Sequence, residues 1–90
     1  MVYASSPAVS DFVAHSRIRR TLLEILSKGP KTPTELALIE KKHVSHVSRA
    51  LAELRGQGLI EAIHSNSRER YYRATPQGMA IYYHIISMPK

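Results

Sequence analysis

Two short helices joined by a tight turn are the strongest pattern in this 90-residue chain. The first helix begins at the sequence TPTE, residues 32–35, where Thr32 can accept a hydrogen bond from a free backbone N–H and Glu35 can complete a capping box. Pro33 suits the first helical position, which needs no N–H donor. The polar residues 40–43 limit this helix to about two turns. Its expected apolar face consists of Leu36, Ala37 and Ile39.

A second helix is predicted over about residues 44–56. Four apolar residues recur there at the helical period and predict a buried stripe: Val44, Val47, Leu51 and Leu54. Gly56 and Gly58 mark the helix end, because glycine tolerates positive φ. The opposite face carries Ser45, Arg49 and Ala52, and His46, Ser48 and Glu53 flank it. Small, hydrogen-bonding side chains with one long cation suit the major groove of DNA, where bulk prevents close approach.

A β-hairpin is predicted next, over about residues 59–75. Its strands are residues 59–65 and 70–75, which are rich in residues that favour β structure, and residues 65–67 form the turn. A further helix start follows at Thr75 and Pro76, so a last helix is expected to run to about Ser87.

The segments TPTELA, HVSRALAELRGQGLIE and RYYRATPQG resemble the MarR-like, ArsR-like and PadR-like transcriptional regulators. The resemblance covers nearly the whole chain and implies a mainly helical α+β fold, the winged helix-turn-helix. Its order is helix, helix-turn-helix, β-hairpin wing and C-terminal helix. The second segment corresponds to the recognition helix. One departure is Lys41, which stands in the turn where many relatives have glycine.

This resemblance implies a sequence-specific regulator of transcription that binds double-stranded DNA. We expect the recognition helix to contact base edges through Ser45, His46, Ser48 and Arg49. Arg49 is suited to pair with guanine through two hydrogen bonds, and the alternative is that it contacts a phosphate or solvent. Backbone contacts are expected from Lys31, Lys41, Lys42 and His43, near the helix N-termini. The expected wing contacts are Arg68, Arg70 and Arg73. The sequence does not indicate a role for the cluster of Arg17, Arg19 and Arg20.

Composition agrees with one small basic domain. Thirteen Lys and Arg against seven Asp and Glu give a formal net charge of +6, which favours a polyanionic partner. The absence of cysteine excludes disulfides and thiolate metal ligands. No apolar run approaches the ~20 residues that span a bilayer, and the N-terminus lacks a signal-peptide core. We therefore expect a cytoplasmic protein without a membrane partner.

The two terminal helices carry more apolar residues than one domain core needs. Over about residues 10–27 the stripe is Ile18, Leu22, Ile25 and Leu26, and Phe12 and Val13 lie off it. The last helix has one face of Met79, Tyr82, Tyr83 and Ile86 and another of Ile81, Ile85 and Met88. A homodimer through both helices would cover the surplus, with interface candidates Phe12, Val13, Ile81, Tyr82, Ile85 and Met88. We expect residues 1–9 to be a flexible N-terminal arm and residues 10–90 to be the winged domain with its terminal dimerisation helices. The alternative to the dimer is that this arm covers the surplus apolar face.

Other functions are less supported. His43 and His46 have a spacing compatible with shared metal ligation, but two histidines are too few, so we expect no metal and no cofactor. No catalytic motif is present, so the chain is not expected to be an enzyme. A small-molecule effector beside Tyr82 and Tyr83 is compatible with the chain but not indicated. The alternatives to DNA are a winged-helix protein-interaction module within a larger assembly and an RNA-binding winged helix.

Overall fold

The computed structural model describes residues 7–63 and 68–87, which form five α-helices and one two-stranded antiparallel sheet. In chain order the elements are α1 (Pro7–Ala14), α2 (Arg17–Lys28), α3 (Pro33–Glu40), α4 (Val44–Gly56), β1 (Ile60–Ile63), β2 (Tyr71–Ala74) and α5 (Pro76–Ile86). Apart from a second helix at the N-terminal end, this order is the predicted one, mainly helical α+β with a hairpin before the last helix. The winged helix-turn-helix fold is thereby confirmed.

The helix-turn-helix consists of α3, a short turn and α4. Both hydrogen bonds of the predicted capping box are present: the Glu35 backbone N–H donates to Thr32 Oγ1 over 3.1 Å, and the Thr32 N–H donates to Glu35 Oε1 over 2.9 Å. At the other end of α3, Lys41 adopts a left-handed conformation, with φ 54° and ψ 44°. The backbone N–H groups of Lys41 and Lys42 then donate to the carbonyls of Leu38 and Ala37, over 3.3 and 3.1 Å. This is the pattern of a Schellman ending, and it turns the chain sharply into α4.

The same hydrogen-bond pattern ends α4. The N–H of Gly58 donates to the Arg55 carbonyl over 2.9 Å, and the N–H of Leu59 donates to the Leu54 carbonyl over 3.1 Å. Gly58 has φ 75°, so glycine is the residue that fits there without strain. The chain leaves this turn directly into β1.

The hairpin pairs β1 with β2, with Glu61 opposite Arg73 and Ala62 opposite Tyr72. Residues 64–67, which include the expected turn at 65–67, lie outside the described residues. The sequence did not predict a third partner, Lys31. Its backbone exchanges two hydrogen bonds with Tyr72, of 3.1 and 2.9 Å, on the free edge of β2.

Helix α5 is held against the hairpin by a very close backbone contact. Thr75 Oγ1 donates to the Gly58 carbonyl over 2.7 Å and accepts from the Gly78 N–H over 3.0 Å, so this residue caps α5 and ties it to the end of α4. A Cβ atom on Gly78 would lie 2.0 Å from the Leu59 carbonyl oxygen. Only glycine allows α5 to approach β1 so closely.

The region of about residues 10–27, where the sequence predicts the first helix, forms two helices. Helix α1 begins at Pro7, inside the expected arm of residues 1–9, and ends at Ala14. Ser16 has extended backbone angles and accepts a hydrogen bond from the Arg19 N–H, which makes it the N-cap of α2. This capping serine explains the break between α1 and α2.

The core joins α1, α2 and α5 to the helix-turn-helix and β1. Its largest fully buried side chains belong to Leu22, Leu23, Leu36, Leu54, Leu59, Ile60, Ile81, Val13 and Val47. Two residues expected on buried faces are not in the core: Ile39 is 49% exposed and Val44 is 42% exposed. Both lie beside the turn, where the described elements cover them only in part.

Three of the expected dimer contacts lie inside the chain's own core. Val13, Ile81 and Ile85 are buried in the chain's own core, because α1 and α5 both pack on α2 with these faces inward. Phe12 and Tyr82 are half-buried against the same core, and Met88 lies outside the described residues. The surplus apolar surface of α5 is the other face, where Tyr83 is 51% and Ile86 57% exposed.

Candidate nucleic-acid interface

Helix α4 presents a polar face directly away from the core. Val47, Ala50, Leu51 and Leu54 point inward and are buried. Ser45, Arg49 and Ala52 are on the opposite side of the helix at the 3.6-residue period, and all three are exposed. His46 and Ser48 are exposed as well, but they occupy the two flanks of this face.

The turn before α4 is held by His43. Its Nδ1 atom accepts the Ser45 backbone N–H over 3.4 Å and lies 2.9 Å from Ser45 Oγ, so the side chain is the N-cap of α4. Lys41, Lys42 and His43 are all exposed around this helix N-terminus. The positive end of the helix dipole and three adjacent nitrogen-bearing side chains make the turn attractive to an anion.

The wing residues differ in their surroundings. Arg68 and Arg70 are exposed before β2. Arg73 instead donates from Nε to Glu61 Oε2 over 2.7 Å, across the hairpin, so its charge is matched within the wing. Lys31 is half-buried and its backbone belongs to the sheet edge. All three wing arginines are exposed, and Arg73 differs in its ion pair with Glu61.

Two surface clefts lie along α4. The first, which we call the α2 cleft, has a volume of about 390 Å³ and is lined by Ser16, Arg17, Ile18, Glu40, Lys42 and His46. The second, the wing cleft, has a volume of about 440 Å³ and is lined by Ser48, Leu51, Ala52, Arg55, Gly56 and Tyr72. They bring together expected contact residues of α4 and the turn with residues that the sequence did not single out.

The three arginines near the start of α2 have different surroundings. Arg17 lines the α2 cleft, and Arg20 is exposed. Arg19 is structural: its guanidinium pairs with Glu53 over 3.1 Å, donates to the Phe12 carbonyl over 3.0 Å and stacks 3.9 Å from the Phe12 ring centroid. The sequence could not separate these roles, because the partners of Arg19 lie in α1 and α4 and meet it only in the folded chain.

Arg55 is a second residue that sequence reasoning missed. It lies seven positions after Ser48, and residues seven apart in a helix return to nearly the same side. Both line the wing cleft. The helical period therefore contained a signal that could have identified Arg55.

Within residues 7–63 and 68–87, no three His, Asp or Glu side chains form a group suited to holding a metal ion. His43 is engaged instead as a helix cap. None of the described helices is long and apolar enough to cross a membrane.

An exposed polar helix held on a helix-turn-helix, next to a basic hairpin, defines the class of winged helix-turn-helix regulators. The profile of the bacterial regulatory protein, arsR family, matches residues 16–62, more than half of the chain. The chain belongs to this family of transcriptional regulators with a DNA-binding helix-turn-helix, and it is not an enzyme. No curated protein sequence matches it significantly.

Solved structures agree with this assignment. A possible transcriptional regulator for arsenical resistance is 32% identical, with a TM-score of 0.70 over 86% of this chain and 79% of the other. The adhesin competence repressor AdcR from Streptococcus pyogenes gives a TM-score of 0.74 at 20% identity, over 79% of this chain and 55% of AdcR. A point mutant of Lactococcus lactis ZitR, solved in complex with DNA, gives 0.69 at 20% identity, over 76% of this chain and 48% of ZitR. The chain thus spans about half the length of AdcR and ZitR, and their likeness concerns the fold.

Proposed function

We propose that this chain is a sequence-specific regulator that binds double-stranded DNA as a homodimer, with α4 in the major groove. The observation that carries this proposal is the outward face of α4, where Ser45, Arg49 and Ala52 are exposed and free of bulky apolar groups. An α-helix about 10–12 Å across fits a major groove about 12 Å wide only if its outward residues are small or can reach a base edge.

The proposed contacts divide into two kinds. Ser45 and Arg49 read base edges, with His46 and Ser48 beside them on the flanks of the helix. Lys41, Lys42 and His43 bind a phosphate at the N-terminus of α4, while Arg68 and Arg70 bring the wing to the neighbouring backbone or minor groove. Arg73 contributes less because Glu61 already pairs with it, and Lys31 is a lesser candidate because it is half-buried.

The homodimer is supported by the apolar surface left on α5. Tyr83 and Ile86 are more than half exposed, and Met79 and Tyr82 continue the same face as half-buried residues. Covering this face with a second copy would remove the apolar surface from water. It would also present two recognition helices to successive major grooves, so that the target has two half-sites.

A gel-shift series with three competitors tests the proposal. Random duplex DNA, duplex RNA of equal length and an acidic protein would each be added at two salt concentrations. We expect duplex DNA to bind most tightly and to lose affinity at the higher salt, because phosphate contacts release counterions. No binding to duplex DNA even at low salt would reject the proposal in favour of a protein-interaction module, and preference for duplex RNA would reject it in favour of an RNA-binding winged helix.

A further inference from the structure

The α2 cleft and the wing cleft lie on opposite flanks of α4. His46 contributes to the first and Ser48 to the second, and these residues are two positions apart, on either side of the outward face. The α2 cleft continues to the start of α2 and the turn, whereas the wing cleft continues to β2. Each cleft therefore runs beside the helix that we place in the major groove.

A helix in the major groove has one phosphodiester strand on each side. The groove is bounded by the two backbones, and a protein that inserts a helix meets phosphate oxygens along both flanks. Phosphate contacts fix the orientation of the helix and carry no sequence information themselves. A pair of flanking clefts is the shape that admits both strands while the outward residues reach the bases.

The chemistry of the lining residues suits phosphodiester oxygens. Arg17 and Lys42 supply cations to the α2 cleft together with the His46 ring, against one carboxylate, Glu40. The wing cleft contains the cation Arg55 and the hydroxyl-bearing residues Ser48 and Tyr72, and no acidic residue lines it. Arginine and hydroxyl groups are common donors to phosphate in protein–DNA complexes.

We propose that the two clefts seat the two phosphodiester strands that bound the major groove, with Arg17 holding one strand and Arg55 the other. This inference rests on the proposed DNA binding and adds two contact residues outside the turn and wing. It also separates the arginines of α2, since Arg17 binds DNA while Arg19 holds α1, α2 and α4 together.

The test compares Arg17→Gln and Arg55→Gln with Arg20→Gln, an exposed arginine of α2 that lines neither cleft. Binding of a random duplex is measured by fluorescence anisotropy at five salt concentrations, after circular dichroism shows that each variant is folded. For each bound chain, we expect the first two changes to lower the slope of log affinity against log salt by about 0.9 and affinity by about tenfold. We expect Arg20→Gln to change neither quantity.

Replacing Glu40 is expected to change the affinity for duplex DNA in the opposite direction. Its carboxylate lines the α2 cleft and repels a phosphate there, so Glu40→Gln is expected to raise affinity for duplex DNA severalfold. Glu24→Gln is the matched control, because Glu24 lies on α2 beside Lys28, with which it forms an ion pair of 3.8 Å, and lines neither cleft. Equal effects of the two glutamine substitutions would overturn the assignment of the α2 cleft.

The outcomes separate this inference from the function on which it rests. If the unchanged protein fails to bind duplex DNA at low salt, the proposed function and the inference both fail. If it binds but only one of Arg17→Gln and Arg55→Gln lowers the slope, or neither does, the two-strand arrangement is overturned and DNA binding stands.

Discussion

At the residue scale, α3 and α4 end with the same hydrogen-bond pattern but place different residues in the left-handed conformation. Gly58 adopts it after α4, and Lys41 adopts it after α3, with φ 54°. Lys41 is the only non-glycine residue with positive φ in residues 7–63 and 68–87. A side chain with a Cβ is strained there by about 1–2 kcal/mol.

Replacing Lys41 with glycine should therefore stabilise the protein. We expect Lys41→Gly to raise the free energy of unfolding by about 1 kcal/mol, since strain is relieved and part of the gain is offset by glycine's greater freedom in the unfolded chain. For a domain of this size that corresponds to a rise of about 4–8 °C in Tm, measured at constant protein concentration. Lys42→Gly is the control, because Lys42 has no positive φ, and it should stabilise nothing. An equal or larger gain from Lys42→Gly would contradict the strain at Lys41.

The close approach of α5 to β1 depends on Gly78. An alanine Cβ there would meet the Leu59 carbonyl oxygen, a backbone atom that cannot turn aside. We expect Gly78→Ala to lower the free energy of unfolding by about 3 kcal/mol or more, measured by urea denaturation. Gly56→Ala should cost nothing, because no atom lies within 4 Å of the added Cβ and alanine favours a helix. Similar denaturation midpoints for the two variants would refute this packing.

At the element scale, local sequence signals predicted most helix ends, whereas tertiary packing decided which face of each helix is buried. Thr32 and Thr75 are helix N-caps, and each can be recognised from a segment of four residues. Both caps form as predicted. Ser16 is an equally local cap, but it was not predicted from the sequence. The boundaries of α4 were predictable because Gly58 and the apolar period agreed.

Periodicity alone could not decide which apolar face of a helix points inward. Helix α5 has two such faces, and burial of Ile81 and Ile85 rather than Tyr83 and Ile86 depends on how α2 approaches it. The candidate contacts of α4 follow from its own period and were predictable. Arg17 and Arg55 were not singled out, because the clefts that they line form only when α2, the turn and the wing come together.

Arg19 links α1 to α2 and α4. Its guanidinium contacts the carbonyl and the ring of Phe12 in α1 and the carboxylate of Glu53 in α4. Arg19→Met keeps a long apolar stem but removes these interactions, so we expect amide hydrogen exchange in α1 to become about tenfold faster. Arg20→Met is the control and should leave exchange in α1 unchanged. Unaltered exchange in both variants would show that apolar packing alone holds α1.

At the scale of the whole molecule, the proposed homodimer depends on the exposed face of α5. Sedimentation at micromolar concentration should give twice the chain mass of 10.1 kDa. Ile86→Glu should shift the protein toward the monomer, because a charge would be buried in the apolar contact. Leu38→Glu is a matched control: Leu38 is 74% exposed but lies on α3, away from this face. A monomer in the unchanged protein, or equal loss of dimer in both variants, would rule out the α5 interface.

The most direct measurement of the central claim is the specificity ratio of the protein and two variants. A duplex selected from a random library is compared with random duplex by fluorescence anisotropy at one salt concentration. We predict a ratio of about 10³ or more for the unchanged protein, lowered roughly 5- to 150-fold by Arg49→Ala, which removes a base contact. Lys42→Ala should weaken both duplexes equally and leave the ratio unchanged. A ratio near one for the unchanged protein, or an equal fall in both variants, would contradict sequence reading by the outward face of α4.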